Sequence, residues 1–246
     1  MMIIKTLTIV IPCFNEEKLI YETLQKVMHA PLTGNIKKEI IVVDDGSTDK
    51  TFQTVMKFIE QQNIICLKTI RHEKNLGKGS SIKSALKHAT GDVIIIQDAD
   101  HEYDPTDYIN MLNPIMEDNA DVVFGTRFKG NNPHIEPFLF HTTINKFFST
   151  FSNFFTGQKL SDIHSCYKMF KTEVLKGIEF RERRFGFDPE ITARLSKIKD
   201  LKIEEIPISY YGRKYSEGKK INWVDALRAL FCIIKYNLVT KKIKNG

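Results

Sequence analysis

The sequence predicts an α/β domain in which helices cover both faces of a mostly parallel central sheet. Short runs rich in β-branched apolar residues, LTIVI (7–11), EIIVV (39–43) and VIII (93–96), have the composition of strands buried on both faces. Segments with apolar residues at helical spacing follow these runs. Each run also ends abruptly in polar residues, as strands do where ligands bind to open α/β sheets.

The first half of the chain alternates strands and helices at the spacing of βαβ units. Ser47 or Asp49 is suited to cap the second helix. The expected elements are a strand at 7–11, a helix ending near 29, a strand at 39–43, a helix ending near 61, a strand at 64–69, a helix ending near 89, a strand at 93–96, a helix at 106–117 and a strand at 121–125.

The second half is richer in aromatic residues. Phenylalanines at helical spacing predict a helix near 140–155, which fits either a core position or a surface that meets lipid. A polar segment at 162–169 leads to an expected helix near Lys171, and Asp188 is the expected N-cap of another, with Pro189 at its first position. A strand pattern at 203–211, a charged loop at 213–220 and an amphipathic helix at 222–239 follow. The apolar stripe of this last helix is Trp223, Leu227, Leu230, Phe231, Ile234 and Leu238, and the lysines behind it are Lys241, Lys242 and Lys244.

Composition narrows the class of protein. A chain of 246 residues is long enough to bury one substantial core. Its net charge of +6 favours anionic partners, but no nucleic-acid motif accompanies the charge, so we expect no nucleic-acid partner. No apolar run is long enough to span a bilayer, and the first residues run straight into a strand pattern, so we expect no signal peptide. Four widely spaced cysteines indicate reduced thiols in the cytosol and argue against a zinc site or a disulfide framework.

The segment Gly91–Pro105, GDVIIIQDADHEYDP, carries the strongest functional signal. After the apolar run, acidic residues occupy every second position at Asp98, Asp100, Glu102 and Asp104. Alternate side chains of an extended segment share a face, so the first three of them are expected to converge just past the end of a strand. Crowded carboxylates repel one another unless a cation lies between them, and a hard divalent ion with positions left for phosphate oxygens fits best. The alternative is a solvated acidic turn in which Asp104 and Pro105 start a helix.

Two further polar clusters follow parallel strands, at 12–16 and 44–49, and the topology should bring them to the same edge. Asp44 and Asp45 are suited to bind a base edge or ribose hydroxyls, or else belong to a helix cap. The segment NLGKG lacks both common phosphate-loop patterns. Its Lys78 either lies near a diphosphate or is a solvated lysine beside a turn.

The motifs PCFNEE, VVDDGSTD, NLGKG, QDADHEYDP, GTRF and FGFDPE, taken in order, resemble family 2 glycosyltransferases with the GT-A fold. Within that family the chain looks most like the dolichyl-phosphate mannosyltransferase-like branch, which moves a hexose from a sugar nucleotide to a polyprenyl phosphate. The resemblance extends from Leu7 to about Tyr236. It implies one GT-A domain, with a nucleotide-sugar-binding half at 1–128, an acceptor half at 129–220, and an amphipathic helix with a basic tail at 221–246.

The resemblance also implies roles for individual residues. Asp98 is expected near ribose and metal, Asp100 and Glu102 as ligands of Mg²⁺ or Mn²⁺, and Arg127 facing the acceptor phosphate. His101 stands where the family pattern leads us to expect an apolar residue. The residues expected to hold the nucleoside are Pro12, Phe14, Glu16 and Asp44.

The chemistry of the reaction can be argued independently. A leaving nucleoside diphosphate needs its charge neutralised, which a carboxylate-held divalent ion achieves. A phosphate acceptor is already an anion and needs cations to position it. Arg127 and either Lys146 or Lys168 are the candidates for these cations. A hydroxyl acceptor would instead require a carboxylate base, for which Asp188 and Glu190 are the candidates, unless they only cap a helix.

We therefore expect a metal-dependent, inverting glycosyltransferase that uses UDP-glucose or GDP-mannose as donor and a polyprenyl phosphate as acceptor. The alternatives are transfer to a glycan or lipid hydroxyl, and a non-catalytic module that binds a nucleotide sugar. The expected location is cytoplasmic, with peripheral attachment to the inner face of the cell membrane through the phenylalanine-rich helix, the Trp223 helix and its lysine tail. A basic tail behind an amphipathic helix suits an anionic membrane surface.

Overall fold

A seven-stranded sheet lies at the centre of the structure, a computed structural model that describes residues 2–62, 66–131, 133–135, 139–213 and 223–238. The strands are β1 (Thr6–Cys13), β2 (Lys37–Asp44), β3 (Leu67–Arg71), β4 (Val93–Ile96), β5 (Val122–Thr126), β6 (His134–Ile135), β7 (Lys168–Lys171), β8 (Ile203–Pro207) and β9 (Tyr210–Tyr211). The strand order of the main sheet is β3-β2-β1-β4-β7-β5-β8, and only β7 runs antiparallel to its neighbours. β6 and β9 form a separate parallel pair.

Helices follow most of the strands. They are α1 (Ile20–His29), α2 (Thr51–Gln62), α3 (Lys78–Leu86), α4 (Tyr108–Met116), α5 (Leu139–Thr156), α6 (Thr172–Lys176), α7 (Phe187–Leu195) and α8 (Trp223–Leu238). A short 3₁₀ turn, Pro105–Asp107, precedes α4, and the Asp104 side chain caps it by accepting from the Thr106 amide.

The helices cover both faces of the sheet, and β1 shows how. Successive side chains of a strand point to opposite faces. Leu7, Ile9 and Ile11 are fully buried in a cluster with residues of α1, α2 and α4. Val10, between them in sequence, is buried in a second cluster with residues of α3, α5 and α7. The predicted α/β class, with a mostly parallel sheet and helices on both faces, is confirmed.

The register of the parallel strands places the polar clusters at one edge of the sheet. Cys13, at the end of β1, is opposite Asp44, at the end of β2. On the other side of β1, Val10 is opposite Ile96, the last residue of β4, so the acidic segment that begins at Asp98 leaves the sheet at the same edge. This edge is where the candidate site is built.

One strand was missed, and one cap prediction was wrong. The helix expected near Lys171 is present as α6, which begins at Thr172, but residues 168–171 form β7, an unpredicted strand that inserts between β4 and β5. Asp188 was expected to cap α7, but the helix begins at Phe187 with Gly186 in the N-cap position. The Asp188 carboxylate accepts a hydrogen bond from Lys168 instead, since that buried ammonium needs an anionic partner.

The two aromatic helices lie side by side, and each exposes apolar side chains. Phe147 and Phe154 of α5 are 58% and 82% exposed, whereas Phe148 is buried. The buried side of α8 consists of Ala229, Cys232, Ile233 and Tyr236. The exposed members of its predicted apolar stripe are Leu227, Phe231, Ile234 and Leu238. The lysines at 241, 242 and 244 are outside the described residues.

A search of the described residues for a helix with the length and hydrophobicity needed to cross a bilayer found none. All four cysteines are free thiols, as predicted.

Candidate active site

Hydrogen bonds between loops hold the strand ends together at the site edge. The Asn15 amide donates to Ser47 Oγ at 3.0 Å, and the Thr48 amide donates back to Asn15 Oδ1 at 2.9 Å. The Glu16 amide donates to Thr51 Oγ1 at 2.8 Å. The loops after β1 and β2 therefore form one rigid unit.

Asp45 joins the loop before α3 to this unit. Its carboxylate accepts from the amides of Leu76 and Gly77 at 2.9 and 2.7 Å and contacts His72 Nδ1 at 2.7 Å. Gly77 has a φ of 96°, and a Cβ there would lie 2.3 Å from the carbonyl oxygen of Arg183, so only glycine fits. The NLGKG segment is thus fixed beside the strand ends.

The residues predicted to hold the nucleoside lie on the β1 and β2 side of this edge. Pro12 belongs to β1, and Phe14 and Glu16 lie in the half-buried loop behind it. Asp44 is buried at the end of β2, where its Oδ1 accepts from the Ser47 amide. Its Oδ2 lies 3.2 Å from Arg71 Nε but makes no hydrogen bond within the described residues. A buried acceptor with unused capacity at this position suits a nucleoside hydroxyl or N–H donor.

Two members of the acidic segment, Asp100 and Glu102, meet at a guanidinium. Arg213 Nη2 donates to Asp100 Oδ2 at 2.6 Å, and Arg213 Nε lies 3.4 Å from Glu102 Oε1. Arg213 Nη1 lies 3.5 Å from Glu16 Oε2. The backbone amide of Arg213 also donates to Glu102 Oε1 at 3.0 Å, and Tyr210 donates its hydroxyl to Glu102 Oε2 at 3.1 Å. One cation therefore bridges three carboxylates.

Electrostatics at Asp100 show how strongly the cluster needs positive charge. Burial and the negative charges of Asp98 and Glu102 raise the pKa of Asp100 to about 8, against the opposing effect of Arg213. Burial would lower the pKa of Arg213, but the carboxylates of Asp100, Glu16 and Glu102 raise it. Even with the guanidinium present, Asp100 therefore holds its proton far more strongly than an ordinary aspartate.

The carboxylate oxygens at this edge suit a hard divalent ion whose remaining coordination positions are filled by substrate oxygens. No group of three or more His, Cys, Asp or Glu side chains within the described part of the chain is arranged to hold a metal ion. Mg²⁺ and similar ions, however, are commonly bound by one or two carboxylates together with substrate phosphates and waters. Asp100 and Glu102 supply such oxygens beside the half-buried Asp98, and their mutual repulsion favours a cation.

Lys78 and Asp98 form an ion pair on the other side of the cluster. Lys78 Nζ lies 2.5 Å from Asp98 Oδ1 and 2.9 Å from Cys166 Sγ. Burial alone would lower the pKa of Lys78, but the Asp98 carboxylate raises it, so the lysine stays charged. Burial would raise the pKa of Asp98, and Lys78 lowers it. This arrangement places a fixed positive charge next to the acidic cluster.

Arg127 is held by a buried aspartate that the sequence did not identify. Its Nε and Nη2 donate to the two carboxylate oxygens of Asp162 at 2.7 and 2.8 Å, and its guanidinium carbon lies 4.9 Å from the centre of the Tyr210 ring. Burial would lower the pKa of Arg127, but Asp162 raises it. Because Tyr210 also contacts Glu102, Arg127 and the acidic cluster share one neighbour.

The two candidate bases are both engaged in structural contacts. Lys168 is fully buried and donates to Asp188 Oδ1 at 2.6 Å and to the Ser165 carbonyl. Glu190 is fully buried too; it accepts from the amides of Arg181 and Glu182 and from Arg194 Nε. The other predicted cation, Lys146, is exposed, and its Nζ lies 5.4 Å from the centre of the Phe128 ring.

Two buried polar atoms lie near these ion pairs without a hydrogen-bond partner in the described residues: His164 Nε2 and Ser165 Oγ. Burial lowers the pKa of His164 to about 4, with Lys168 and Arg127 adding to the effect and Asp188 and Asp162 opposing it. The imidazole is therefore neutral at physiological pH. His101 has its Nε2 3.8 Å from Glu22 Oε2, on α1, so the polar residue at this position faces a carboxylate.

Arg213, Asp162 and His164 are the residues that sequence reasoning missed at this edge. Arg213 lies 113 positions from Asp100 and had been assigned only to a charged loop. Asp162 and His164 had been assigned only to a polar segment. An arginine that is buried requires an acid, but the sequence did not predict that Arg127 is buried, and no residue spacing identifies Asp162 as its partner.

Comparison with known proteins identifies the class. Residues 8–178 match the family described as Glycosyl transferase family 2. The chain belongs to this family and is a glycosyltransferase. The GT-A fold is supported by glucosyl-3-phosphoglycerate synthase from Mycobacterium tuberculosis, solved with Mn²⁺, uridine diphosphate and phosphoglyceric acid, which matches with a TM-score of 0.72 and 15% identity over 96% of this chain and 80% of that one.

Other relatives are more similar to this chain in sequence than that synthase is. The chain is 31% identical over 240 residues to an uncharacterized protein of Methanocaldococcus jannaschii, covering 92% of this chain and 90% of that protein. It is 28% identical to the UDP-N-acetylglucosamine–dolichyl-phosphate N-acetylglucosaminyltransferase of Methanococcus voltae, covering 89% and 90%. It is 25% identical to the dodecaprenyl-phosphate galacturonate synthase of Rhizobium johnstonii, covering 87% of this chain and 61% of that enzyme.

Proposed function

We propose that this glycosyltransferase moves a hexose or a related sugar from a nucleoside diphosphate to a polyprenyl phosphate, with inversion and with a divalent metal ion. UDP-glucose and GDP-mannose are the donors expected from the sequence. The name of the Methanococcus voltae relative adds UDP-N-acetylglucosamine as a third donor to test. The names of two relatives specify polyprenyl-phosphate acceptors, which supports the acceptor class proposed here.

The observation that carries this proposal is the meeting of Asp100 and Glu102 around the Arg213 guanidinium just past the end of β4, beside Asp98, whose negative charge also acts on Asp100. A module that only bound a nucleoside would gain little from three crowded carboxylates, since each must be desolvated and repels the others. A site that cleaves the sugar–diphosphate bond does gain, because a carboxylate-held Mg²⁺ or Mn²⁺ would stabilise the charge on the leaving diphosphate.

The acceptor side favours a phosphate over a hydroxyl. A hydroxyl acceptor needs a base, but Asp188 pairs through Oδ1 with a buried lysine, and Glu190 accepts four hydrogen bonds from its neighbours. A phosphate acceptor needs no base, because it is already an anion. Arg127 and Lys168 place buried cationic groups in this region, and His164 Nε2 and Ser165 Oγ are buried polar atoms that have no hydrogen-bond partner within the described residues.

The chain's own residues then have distinct tasks. Asp44 and the loop at 14–16 bind and orient the nucleoside, while Asp100 and Glu102 hold the ion. Lys78 keeps Asp98 ionised and fixed in place. One oxygen of the acceptor phosphate attacks the anomeric carbon from the face opposite the diphosphate. The carbon–oxygen bond to the diphosphate breaks, and the diphosphate leaves with the bonding electrons, so the configuration is inverted and no proton has to be removed.

The exposed apolar side chains of α5 and α8 support attachment to a membrane surface at the cytoplasmic face. Phe147 and Phe154 lie on one helix and Leu227, Phe231 and Leu238 on the helix packed beside it. Arg228 and Lys235 of α8 lie among these residues, within cation–π distance of the Phe231 ring. Apolar side chains surrounded by basic ones suit an interface with anionic lipid, where a polyprenyl phosphate resides.

A donor and acceptor screen tests the proposal. Radiolabelled UDP-glucose, GDP-mannose and UDP-N-acetylglucosamine would each be incubated with polyprenyl phosphate or with the matching polyprenol, in Mg²⁺, Mn²⁺ or EDTA. We expect one donor to give a lipid-linked sugar with the phosphate and not with the alcohol, and only with metal. Product from the alcohol would favour the hydroxyl alternative, and donor binding without any transfer would favour the non-catalytic module.

A further inference from the structure

Arg213 lies where a metal ion would be needed. Its guanidinium contacts Asp100 at 2.6 Å, Glu102 at 3.4 Å and Glu16 at 3.5 Å, and its side chain is 15% exposed. The first two carboxylates are the predicted metal ligands. A divalent cation and this guanidinium therefore require the same carboxylate oxygens.

We propose that Arg213 is a positioning residue that acts as an internal counter-ion for the metal-free site and competes with the divalent ion for Asp100 and Glu102. This inference rests on the proposed metal dependence. The arginine keeps the carboxylates assembled when no metal is bound, and it lowers the intrinsic affinity of the site for metal.

Three further observations favour exchange over a permanent structural bridge. The contacts are uneven, since only the bond to Asp100 is short, and those to Glu102 and Glu16 are at the limit of hydrogen bonding. Glu102 retains partners without the guanidinium, because the Tyr210 hydroxyl and the Arg213 amide both donate to it. Arg213 also follows β9 and is not part of a helix or strand, so its side chain can leave without disturbing the sheet.

The exchange predicts that metal and nucleotide donor bind cooperatively. When a metal ion binds the carboxylates, the guanidinium loses its anionic partners and needs another anion nearby. The donor brings a diphosphate to the same place as the metal. Metal affinity should therefore be low without a nucleotide and should rise when one is present, because the diphosphate gives the displaced charge a partner.

Binding of Mn²⁺ to the full chain in the absence of nucleotide, followed by the EPR signal of free Mn²⁺, tests the inference. We expect Arg213→Ala to bind Mn²⁺ at least about tenfold more tightly than the wild type, because a charge-assisted contact to Asp100 no longer competes. UDP should increase Mn²⁺ affinity less in the variant than in the wild type. Arg228→Gln is the matched control: Arg228 also bridges to a buried carboxylate, that of Glu182, but lies on α8. Its Mn²⁺ affinity should equal that of the wild type.

Thermal unfolding gives a second readout. Metal-free Arg213→Ala should melt below the wild type, and added Mn²⁺ should raise its melting temperature by more than that of the wild type. Arg213→Gln, which keeps the side-chain length, serves if the alanine variant does not fold. Equal or weaker Mn²⁺ binding by a folded variant would overturn the competition while leaving the metal site in place. Absence of Mn²⁺ binding by every protein, with and without UDP, would overturn the metal dependence and this inference together.

Discussion

Arg127 and Asp162 form a bidentate, buried ion pair, with the arginine Nε and Nη2 at 2.7 and 2.8 Å from the two carboxylate oxygens. The backbone amide of Arg127 also points to the same carboxylate at 3.2 Å. Asp162 is itself anchored, since its amide donates to Glu205 at 3.0 Å. Arg127, which we propose faces the acceptor, is thus held in one orientation before any substrate arrives.

Replacing Arg127 by alanine should therefore have two separable effects. It should lower the free energy of unfolding by about 3–5 kcal/mol, because Asp162 is left buried without its partner. It should also lower kcat/KM for the acceptor by a further one to two decades, which corresponds to about 1.5–3 kcal/mol for a lost charge-assisted contact. Lysine should rescue only in part, since a point charge cannot replace the bidentate fork. Donor binding, measured by calorimetry without acceptor, should change little; an equal loss there would move Arg127 to the donor side.

Replacing Asp188 by asparagine distinguishes the two acceptor classes. If Asp188 only neutralises Lys168, the variant should be less stable by about 3 kcal/mol or more but should keep transfer to a phosphate acceptor while it is folded. Loss of a general base would instead lower turnover by about 10²- to 10⁴-fold and remove the acid limb of the pH–rate profile. Unfolding curves and pH–rate profiles at a temperature where the variant is folded separate these results. Glu190→Gln serves as the parallel variant on the neighbouring buried carboxylate.

Glu39, remote from the acidic cluster, should make stability depend on pH. Burial would raise its pKa, but hydrogen bonds from Lys68, Thr8 and Thr90 lower the pKa to about 2, from 4.5 in an unfolded chain. Because the folded state holds the proton less tightly, this carboxylate stabilises the fold above pH 4.5 and loses that contribution as the pH falls from 4.5 toward 2. The shift corresponds to about 3 kcal/mol.

Urea unfolding of Glu39→Gln from pH 7 to pH 3 measures this contribution. The difference from the wild type should be largest at pH 7 and should shrink below pH 4.5. The control is Glu22→Gln, which removes an exposed ion pair with Lys26 and should change stability little at any pH. A difference for Glu39→Gln that does not depend on pH would show that its carboxylate charge is not responsible.

Much of this edge of the sheet could be predicted from the sequence, and the omissions have a common cause. The apolar run before Asp98 predicted β4, and the alternation of acids behind it predicted that Asp100 and Glu102 lie close together, because both follow from local geometry. β7 was missed because its four residues, KMFK, become a strand only through antiparallel pairing with β4 and β5. Arg213 was missed for a similar reason, since its partners are remote in sequence. Helical periodicity likewise showed which residues of α8 share a side, but not that Ala229 and Ile233 would be buried and Phe231 exposed.

The exposed side chains of α5 and α8 should bind vesicles that contain anionic lipid. In a flotation assay, binding should rise with the anionic fraction and fall with salt. It should weaken when Lys241, Lys242 and Lys244 become glutamine, since each basic residue contributes about 1 kcal/mol near such a surface. Phe154→Ser combined with Phe231→Ser should also weaken it, whereas Ile3→Ser should not, although Ile3 is 79% exposed. Recovery of the wild type in the soluble fraction at every lipid composition would contradict membrane attachment.

We propose above all that Asp100 and its neighbours hold the divalent ion needed for transfer of the sugar from its nucleotide to a polyprenyl phosphate. The most direct test compares product formation by the wild type, Asp100→Asn and Asp104→Asn, with the productive donor, polyprenyl phosphate and Mn²⁺. Asp104 belongs to the same acidic segment but caps the 3₁₀ turn, a task that asparagine also performs. We predict product from the wild type and Asp104→Asn, and none from a folded Asp100→Asn or from the wild type in EDTA. Wild-type turnover by folded Asp100→Asn would contradict the account.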